Sequence, residues 1–599
     1  MLRLLALVPF IAFALTAGAQ AKTPPTLDQL AASKLGLSCS KVTTSDNVSY
    51  VKCSGKVPSF DGLGLDTDIS IPLGATKAGP TIVMLHGWSQ DKTFWETDTA
   101  AGDGAGSWHW NNVWFVSKGW VVVNYTARGF QQSCGMTDPA ANCTPNGYTH
   151  LADRRFETRD SQILLGKLVD AGLADAKELA STGDSYGGGQ SWLLATALPW
   201  QSPNGTTLQL AASVPKYPWT DLLDSLSPNG RATPGVDQSA PHNVPFGIAK
   251  ESYDDGLYAV GRAEANGRYD ENPLDFGTNL DEQIQRIQQG EPYDTTTDPR
   301  LQQIVDSYTF RSPYDATDFF AALHAGTVRP VPVLSIQGWT DPLFPAVQTL
   351  QMFRKLKAAD PRYPVQMVFG DIGHSNAQNP SWQWQPINTL ANGFLDAHVL
   401  GRKGDAPSSQ AYSFQTECSG SSHPAPIAGQ WDSLTSSDVK LTSATPATTS
   451  SADANPADGL ASDPIANSGC RTEDATTTDP GAAYYSFTST GEHLLGLPTV
   501  QLPYTLLGQD ATVAFKVWDQ TPDGSKTLVT RGEYRLSTAA GDPATGILKT
   551  YLYGNDWVFP AGDKIVLQVT QDDAPYLRPD NEPSVIEWSG VTLDLPTHS

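Results

Sequence analysis

The sequence predicts an α/β protein, a mostly parallel sheet covered on both faces by helices, followed by an all-β sandwich. Continuous apolar runs recur before residue 410, at residues 81–85 (TIVML), 120–124 (WVVVN), 331–337 (VPVLSIQ) and 365–369 (VQMVF). Runs of this kind mark strands buried on both faces. Helical spacing stands between them, as at Ile163, Leu164, Leu168 and Leu173 within residues 160–173. Strands alternating with helices imply a parallel sheet. Beyond about residue 410 the helical period stops, and short strands separated by Gly, Asp and Pro turns read as an antiparallel sandwich.

In chain order, residues 1–21 read as an export signal. Arg3 supplies the positive end, residues 4–15 the apolar run, and Ala19-Gln20-Ala21 the small-residue cleavage site before Lys22. Residues 22–219 hold the first part of the α/β core, with a possible further strand at 208–214 (LQLAASV). Residues 220–325 are rich in Pro, Gly, Asp and Tyr, with helix-like pieces such as 279–289, and read as an insertion. The core resumes over 326–410 and closes with a helix at 384–400. Residues 433–480, dominated by Ser, Thr, Ala, Asp and Pro, read as a linker or long loop. The sandwich strands expected within 411–599 include 482–487, 512–519, 528–537, 547–553, 564–571 and 584–595.

A chain of 599 residues with 39 % apolar content has room for two or three cores. Cys39, Cys53, Cys134, Cys143, Cys418 and Cys470 fall as three pairs local in sequence, which suits disulfides in an oxidising, extracytoplasmic compartment. The spacing leaves their connectivity open. No Cys-x-x-Cys or Cys-x-x-His spacing points to zinc, and no cofactor motif is present. A net charge of −24 disfavours nucleic acid and anionic membrane as partners. No segment after the export signal reaches about 18 uninterrupted apolar residues, so no membrane anchor is expected.

Gly183-Asp184-Ser185-Tyr186-Gly187 matches Gly-x-Ser-x-Gly, in which a sharp strand-to-helix turn lifts a serine above the sheet edge. Residues 178–182 fit the strand and 190–198 the helix. Alone, the motif fits a glycine turn as well as a nucleophile. A hydroxyl needs a base, and the base needs a carboxylate to fix its tautomer. Asp341 (GWTDPLFP) and His374 (GDIGHSN) each stand in the loop after an expected strand, and Ser, Asp, His is the order of α/β-hydrolases. Asp371 is the rival acid, but lies on the histidine's own loop and suits a turn. His86 precedes the serine and suits support of its loop, while His109, His150 and His398 lack a strand-end setting. Oxyanion donors are expected from the backbone N–H of Tyr186, opening the helix, and of Trp88, in the loop that His86-Gly87 opens.

These segments resemble serine peptidase family S15, the Xaa-Pro dipeptidyl-peptidase and cocaine esterase-like hydrolases. The resemblance rests on the HGW loop, on TARGFQQSCG with Arg128, Gly129 and Ser133, on GDSYGGGQ, on GWTD and on the GH loop. It implies an α/β-hydrolase fold with a helical cap over 220–325 and a C-terminal jelly-roll, with Ser185, Asp341 and His374 as the triad. It also implies a small ester or short peptide as substrate. Two departures stand out. HGWSQ lacks the tyrosine that esterase-like members use as an oxyanion donor, and Gln131 and Gln132 occupy the Arg-Gly segment where others have glycine.

The expected reaction is acyl transfer through Ser185, Xaa-Pro dipeptidyl-peptidase-like on a peptide bond, with carboxylic ester hydrolysis as the alternative. A non-catalytic binding protein on a hydrolase fold is the reading of a different class. Dipeptidyl-peptidase action requires an anionic group for a free amino terminus and an apolar slot for proline. Glu251, Asp254, Asp255 and Tyr258 of the cap are candidates for these.

Overall fold

The computed structural model describes residues 24–229, 246–263, 266–418, 422–466 and 469–598. The export signal expected over residues 1–21 lies outside the described residues. An eleven-stranded sheet organises the first part of the chain. Three antiparallel strands lead in, β1 (Ser38–Thr43), β2 (Ser49–Pro58) and β3 (Gly64–Pro72). Six parallel strands follow: β4 (Gly79–Leu85), β5 (Val121–Tyr125), β6 (Ala174–Asp184), β7 (Ala212–Lys216), β8 (Val333–Gly338) and β9 (Val365–Gly370). The spatial order is β3-β5-β4-β6-β7-β8-β9, with the parallel pairings in register. Within the runs, Ile82, Met84 and Val122 pack on one face and Val83, Leu85, Val121 and Val123 on the other, which is why these strands are apolar throughout.

The sheet extends past residue 410, where Ala411–Ser413 pairs parallel with β9 and Ile427–Gly429 closes the edge. Strand limits differ from expectation by a few residues, most at β6, which starts four residues earlier than read, and at β7, which starts four residues later. The larger difference is at the serine. After the helix α1 (Glu157–Ala171) and strand β6, the helix α2 (Tyr186–Ala195) starts immediately after Ser185 rather than at residue 190. Three consecutive glycines disguise its first turn, because glycine is a poor helix former.

Between β7 and β8 the insertion is helical, including α3 (Glu251–Ala263), α4 (Leu280–Gln288) and α5 (Pro299–Tyr308). Asn279 and Asp298 cap α4 and α5 through their side chains. The insertion's apolar side joins Tyr186, Trp219 and Phe344 in one cluster that also takes in Tyr576 and Leu577 from the C-terminal part. The cap thus sits over the serine.

The C-terminal part consists of an eight-stranded and a five-stranded antiparallel sheet sharing one core. The last expected strand divides at Gly590 into Val585–Trp588 and Val591–Thr597. Residues 433–480 are not a simple linker. Ser437–Ser443 pairs with the final strand, Ala447–Ser450 with Val585–Trp588, and Pro456–Ser462 is helical. Ser437–Ser443 is an edge strand with no fully buried residue, so its polar composition carries no strong strand signal.

The six cysteines pair as Cys39–Cys53, Cys134–Cys143 and Cys418–Cys470. No described helix is long and apolar enough to cross a membrane.

Candidate active site

Adjacent parallel strands end on one edge of a sheet, so loops far apart in sequence meet there. The loops after β4, β6, β7, β8 and β9 carry Trp88, Ser185, Tyr217, Asp341 and His374 respectively. Ser185 holds φ 49° and ψ −112°, a strained conformation that turns β6 directly into α2. Its N–H donates to the Lys216 carbonyl at 3.1 Å. The turn tolerates no side chain at Gly187, where a Cβ would lie 2.3 Å from the Leu85 carbonyl oxygen.

The Ser185 hydroxyl stands 2.6 Å from His374 Nε2, and His374 Nδ1 stands 2.7 Å from Asp341 Oδ2. A carboxylate at Nδ1 places the ring proton there and leaves the Nε2 lone pair facing the hydroxyl. Asp341 is fully buried, and its Oδ1 accepts from the Leu343 and Phe344 N–H groups at 3.0 and 3.2 Å. The His374 N–H adds a bond to Oδ2 at 3.2 Å. Gly373, at φ 124°, makes room, since a Cβ there would lie 2.4 Å from Asp341 Oδ2. Asp371, the rival acid, is committed elsewhere, accepting from Thr340 Oγ1 of the Asp341 loop at 2.6 Å and from Gln378 Nε2 at 2.6 Å. The imidazole is walled by Tyr217 and Phe344, both edge-on at 5.2 and 5.1 Å between centroids.

Tyr186 opens α2, so its N–H has no carbonyl partner within the helix. Its hydroxyl accepts from the Ala152 N–H at 3.3 Å and lies 3.4 Å from Glu157 Oε1, which fastens the ring behind the turn. Burial pushes Glu157 up to about 7. No hydrogen bond among the described residues uses the Trp88 N–H. The Trp88 indole donates to the Leu257 carbonyl at 2.8 Å and packs on Phe130 and Tyr186, tying this loop to α3. His86 does not reach Ser185. Its Nε2 accepts from the Ala127 N–H at 2.9 Å and its Nδ1 bonds the Gly87 carbonyl at 2.7 Å, holding the loop. Arg128 is buried against Asp160 at 2.6 and 2.7 Å and donates to the Asn146 carbonyl at 2.7 Å, bracing the segment that carries Phe130.

A cavity opens beside Ser185 under the cap. Its walls are chiefly apolar, with Trp219, Leu223, Ile287 and Phe344 among them. Of the cap residues singled out from sequence, Asp254 and Tyr258 line it, whereas Glu251 and Asp255 do not. Tyr258 is committed to Asp281 at 2.7 Å. No hydrogen bond or ion pair among the described residues reaches the Asp254 carboxyl, and burial pushes it well above the usual carboxylate range. Two other cap residues stitch α3 to the site. Lys250 donates to the Pro342 and Leu343 carbonyls beside Asp341 at 2.7 and 3.1 Å, and Tyr253 donates to the Ser375 carbonyl beside His374 at 2.8 Å. Sequence patterns do not single out Lys250, Tyr253 or Tyr217. The one available signal was for Tyr217, which directly follows the strand-like stretch ending near residue 214.

The family model for X-Pro dipeptidyl-peptidase (S15 family) matches residues 61–376, more than half the chain. The chain belongs to this family. The matched span contains Ser185, Asp341 and His374 as well as the cap. It is therefore a serine hydrolase of the S15 family, and the non-catalytic reading falls away. No curated protein sequence matches the chain. Among solved structures, an aminopeptidase from a marine sediment Thaumarchaeota archaeon is similar at 15 % identity and TM-score 0.60, with 92 % of this chain and 96 % of the other covered. An α-amino acid ester hydrolase is similar at 14 % identity and TM-score 0.57, over 93 % and 98 %. A CocE/NonD family hydrolase from Staphylococcus aureus is similar at 12 % identity and TM-score 0.60, over 96 % and 98 %. At these identities the likeness concerns the fold, an α/β-hydrolase with a C-terminal β part.

Proposed function

We propose that the protein removes an amino-terminal Xaa-Pro dipeptidyl unit from short peptides, with Ser185 as nucleophile, His374 as general base and acid, and Asp341 as the group that orients and charges the base. His374 Nε2 takes the Ser185 proton as Oγ attacks the scissile carbonyl carbon. The oxyanion that forms is held by the Tyr186 and Trp88 N–H groups. His374 then hands its proton to the departing amine, the C–N bond breaks and an acyl-enzyme remains. Water, deprotonated by His374, attacks the ester carbon and frees Ser185.

The observation that carries the peptidase reading is Asp254. A carboxyl with no hydrogen-bond or ion-pair partner among the described residues, in a chiefly apolar cavity beside the nucleophile, suits an incoming α-ammonium, whose charge offsets the desolvation that raises this group. The aromatic and aliphatic walls suit the proline ring. The names of two structural relatives, an aminopeptidase and an α-amino acid ester hydrolase, point to the same amino-bearing substrate class. A second reading, carboxylic ester hydrolysis, is favoured by the cavity's chiefly apolar lining, which suits an acyl chain as well as a proline ring. The three disulfides suit work outside the cytoplasm, in keeping with the export signal expected over residues 1–21.

The test compares Gly-Pro-p-nitroanilide with p-nitrophenyl butyrate on wild type, Ser185→Ala and Asp254→Asn. Turnover of the anilide, lost in Ser185→Ala and with KM raised about 30-fold in Asp254→Asn while the butyrate is unaffected, supports the peptidase. Butyrate turnover with none on the anilide removes that reading and leaves the esterase.

A further inference from the structure

Asp184 sits at the variable position of the elbow, directly before Ser185, and the mechanism above does not use it. Its side chain is buried, with 4 % of the residue exposed. Oδ2 accepts from the Tyr217 hydroxyl at 2.7 Å, while Oδ1 is buried with no hydrogen-bond partner. A buried carboxyl with an unused oxygen is costly. Most sequences could meet this position with an apolar side chain at no such cost.

What surrounds Asp184 shows what the carboxyl faces. Tyr217 is itself strained, at φ 32°, and its N–H donates to the Ile336 carbonyl at 2.6 Å. That conformation presents its ring edge-on to His374 while its hydroxyl reaches back to Asp184. The tyrosine thus bridges the carboxyl and the imidazole. The other ionisable groups near the pair are Lys216 at the end of β7, Asp341 across the imidazole and His86 in the loop after β4. Lys216 points its ammonium elsewhere, to Asn388 Oδ1 at 2.8 Å and the Gly106 carbonyl at 3.1 Å, beneath Trp110 and Trp384. His86 is committed to the Gly87 carbonyl and the Ala127 N–H. Among the described residues, the cation that forms next to Asp184 without a fixed partner on that side is the imidazolium of His374.

We propose that Asp184 is a positioning residue of the hydrolysis, which acts with Tyr217 to hold the His374 ring and to favour its imidazolium form in the steps where the base carries the serine proton. This rests on the Ser185–His374–Asp341 reading. No new bond is made or broken. The carboxylate is buried and acts through its field, where a fixed charge counts for more than in solution. Burial pushes Asp184 up to about 6, with Tyr217 and His374 both favouring its charged form, so the carboxylate is ionised at neutral pH. The acid is poised to be charged when the enzyme works.

The test measures kcat and KM for p-nitrophenyl butyrate from pH 5 to 9 on wild type, Asp184→Asn, Tyr217→Phe, the double variant and Ser185→Ala, with circular dichroism to confirm folding. Asp184→Asn is expected to lower kcat about tenfold at pH 8, to change KM less than twofold, and to move the acid limb of kcat/KM to lower pH by at least about half a unit. Tyr217→Phe loses about threefold in kcat. The double variant is no worse than Asp184→Asn alone, because the two act as one unit. Coincident acid limbs for Asp184→Asn and wild type, or losses that multiply in the double variant, overturn the inference. Should Asp184→Asn fail to fold, an unchanged kcat in Tyr217→Phe overturns it equally. Ser185→Ala separates the two levels: if it retains turnover, the triad reading fails, whereas a dead Ser185→Ala beside an unshifted Asp184→Asn sinks only the role of Asp184.

Discussion

Asp184→Asn is expected to make a poorer enzyme that is also a more stable protein, and the gain should depend on pH. Burial raises the Asp184 carboxyl from 3.8 to about 6. Between those values the folded chain binds more protons than the unfolded one, so this group's contribution to stability falls as pH rises and its full cost is present above about pH 6. A shift of about two units corresponds to about 3 kcal/mol. Asparagine has no charge to desolvate and keeps an oxygen for the Tyr217 hydroxyl, so it escapes the cost at every pH. The stability difference, variant minus wild type, should therefore grow by about 2.4 kcal/mol from pH 4, where the unfolded carboxyl is already partly ionised, to pH 7. With about 2.1 cal/mol/K of unfolding entropy per residue and a cooperative unit of about 400 residues, that is a Tm difference of about 3 K. Calorimetry on both oxidised proteins at pH 4, 5.5, 7 and 8, at one ionic strength, measures it. Apart from His374, whose titration the substitution itself is expected to shift, the titrating groups are common to both chains and cancel. A Tm difference that stays constant with pH, or shrinks as pH rises, refutes the reasoning.

Other perturbations test other parts of the site. Gly187→Ala drives a Cβ against the Leu85 carbonyl, so kcat for p-nitrophenyl butyrate should fall at least about 100-fold in soluble protein, and wild-type kcat would show the elbow to be slack. Lys250→Met strips the Pro342 and Leu343 carbonyls of their donor, and about a tenfold loss of kcat is expected from a loosened Asp341 loop; burial pushes Lys250 down to about 8, so wild-type activity should decline above that pH if the charge is what holds the loop. Replacing Cys418 and Cys470 together by serine opens a 52-residue span and should cost up to about 4 kcal/mol, read as a lowered Tm of the C-terminal part and absent if that part melts unchanged.

Much of this protein is legible in one dimension because a parallel sheet obeys simple rules. Apolar runs at β4, β5, β8 and β9 identify strands covered on both faces, and the residues just past their ends, together with Ser185, belong to one edge whatever their separation along the chain. That is how Asp341 and His374, 33 residues apart, come forward as partners of a serine 189 residues before His374. Where a segment's role depends on its neighbours rather than its own period, the sequence is silent. Ser437–Ser443 resembles a linker because an edge strand need not be apolar, and α2 hides behind glycines demanded by close contact with Leu85 of β4, Lys216 of β7 and the Trp219 ring.

Composition and order along the chain by themselves determined the α/β core, the β sandwich and the three residues proposed for the chemistry, and left the cysteine connectivity open. Only the tertiary structure decided which cap carboxylate looks into the cavity, since Glu251, Asp254 and Asp255 share one helix and its rotation against the core exposes Asp254 alone to it. It also decided that Asp184 is a buried acid beside the base rather than a polar residue in a turn. Burial is a property of what packs around a side chain, and the groups that bury Asp184 arrive from different strands of the sheet.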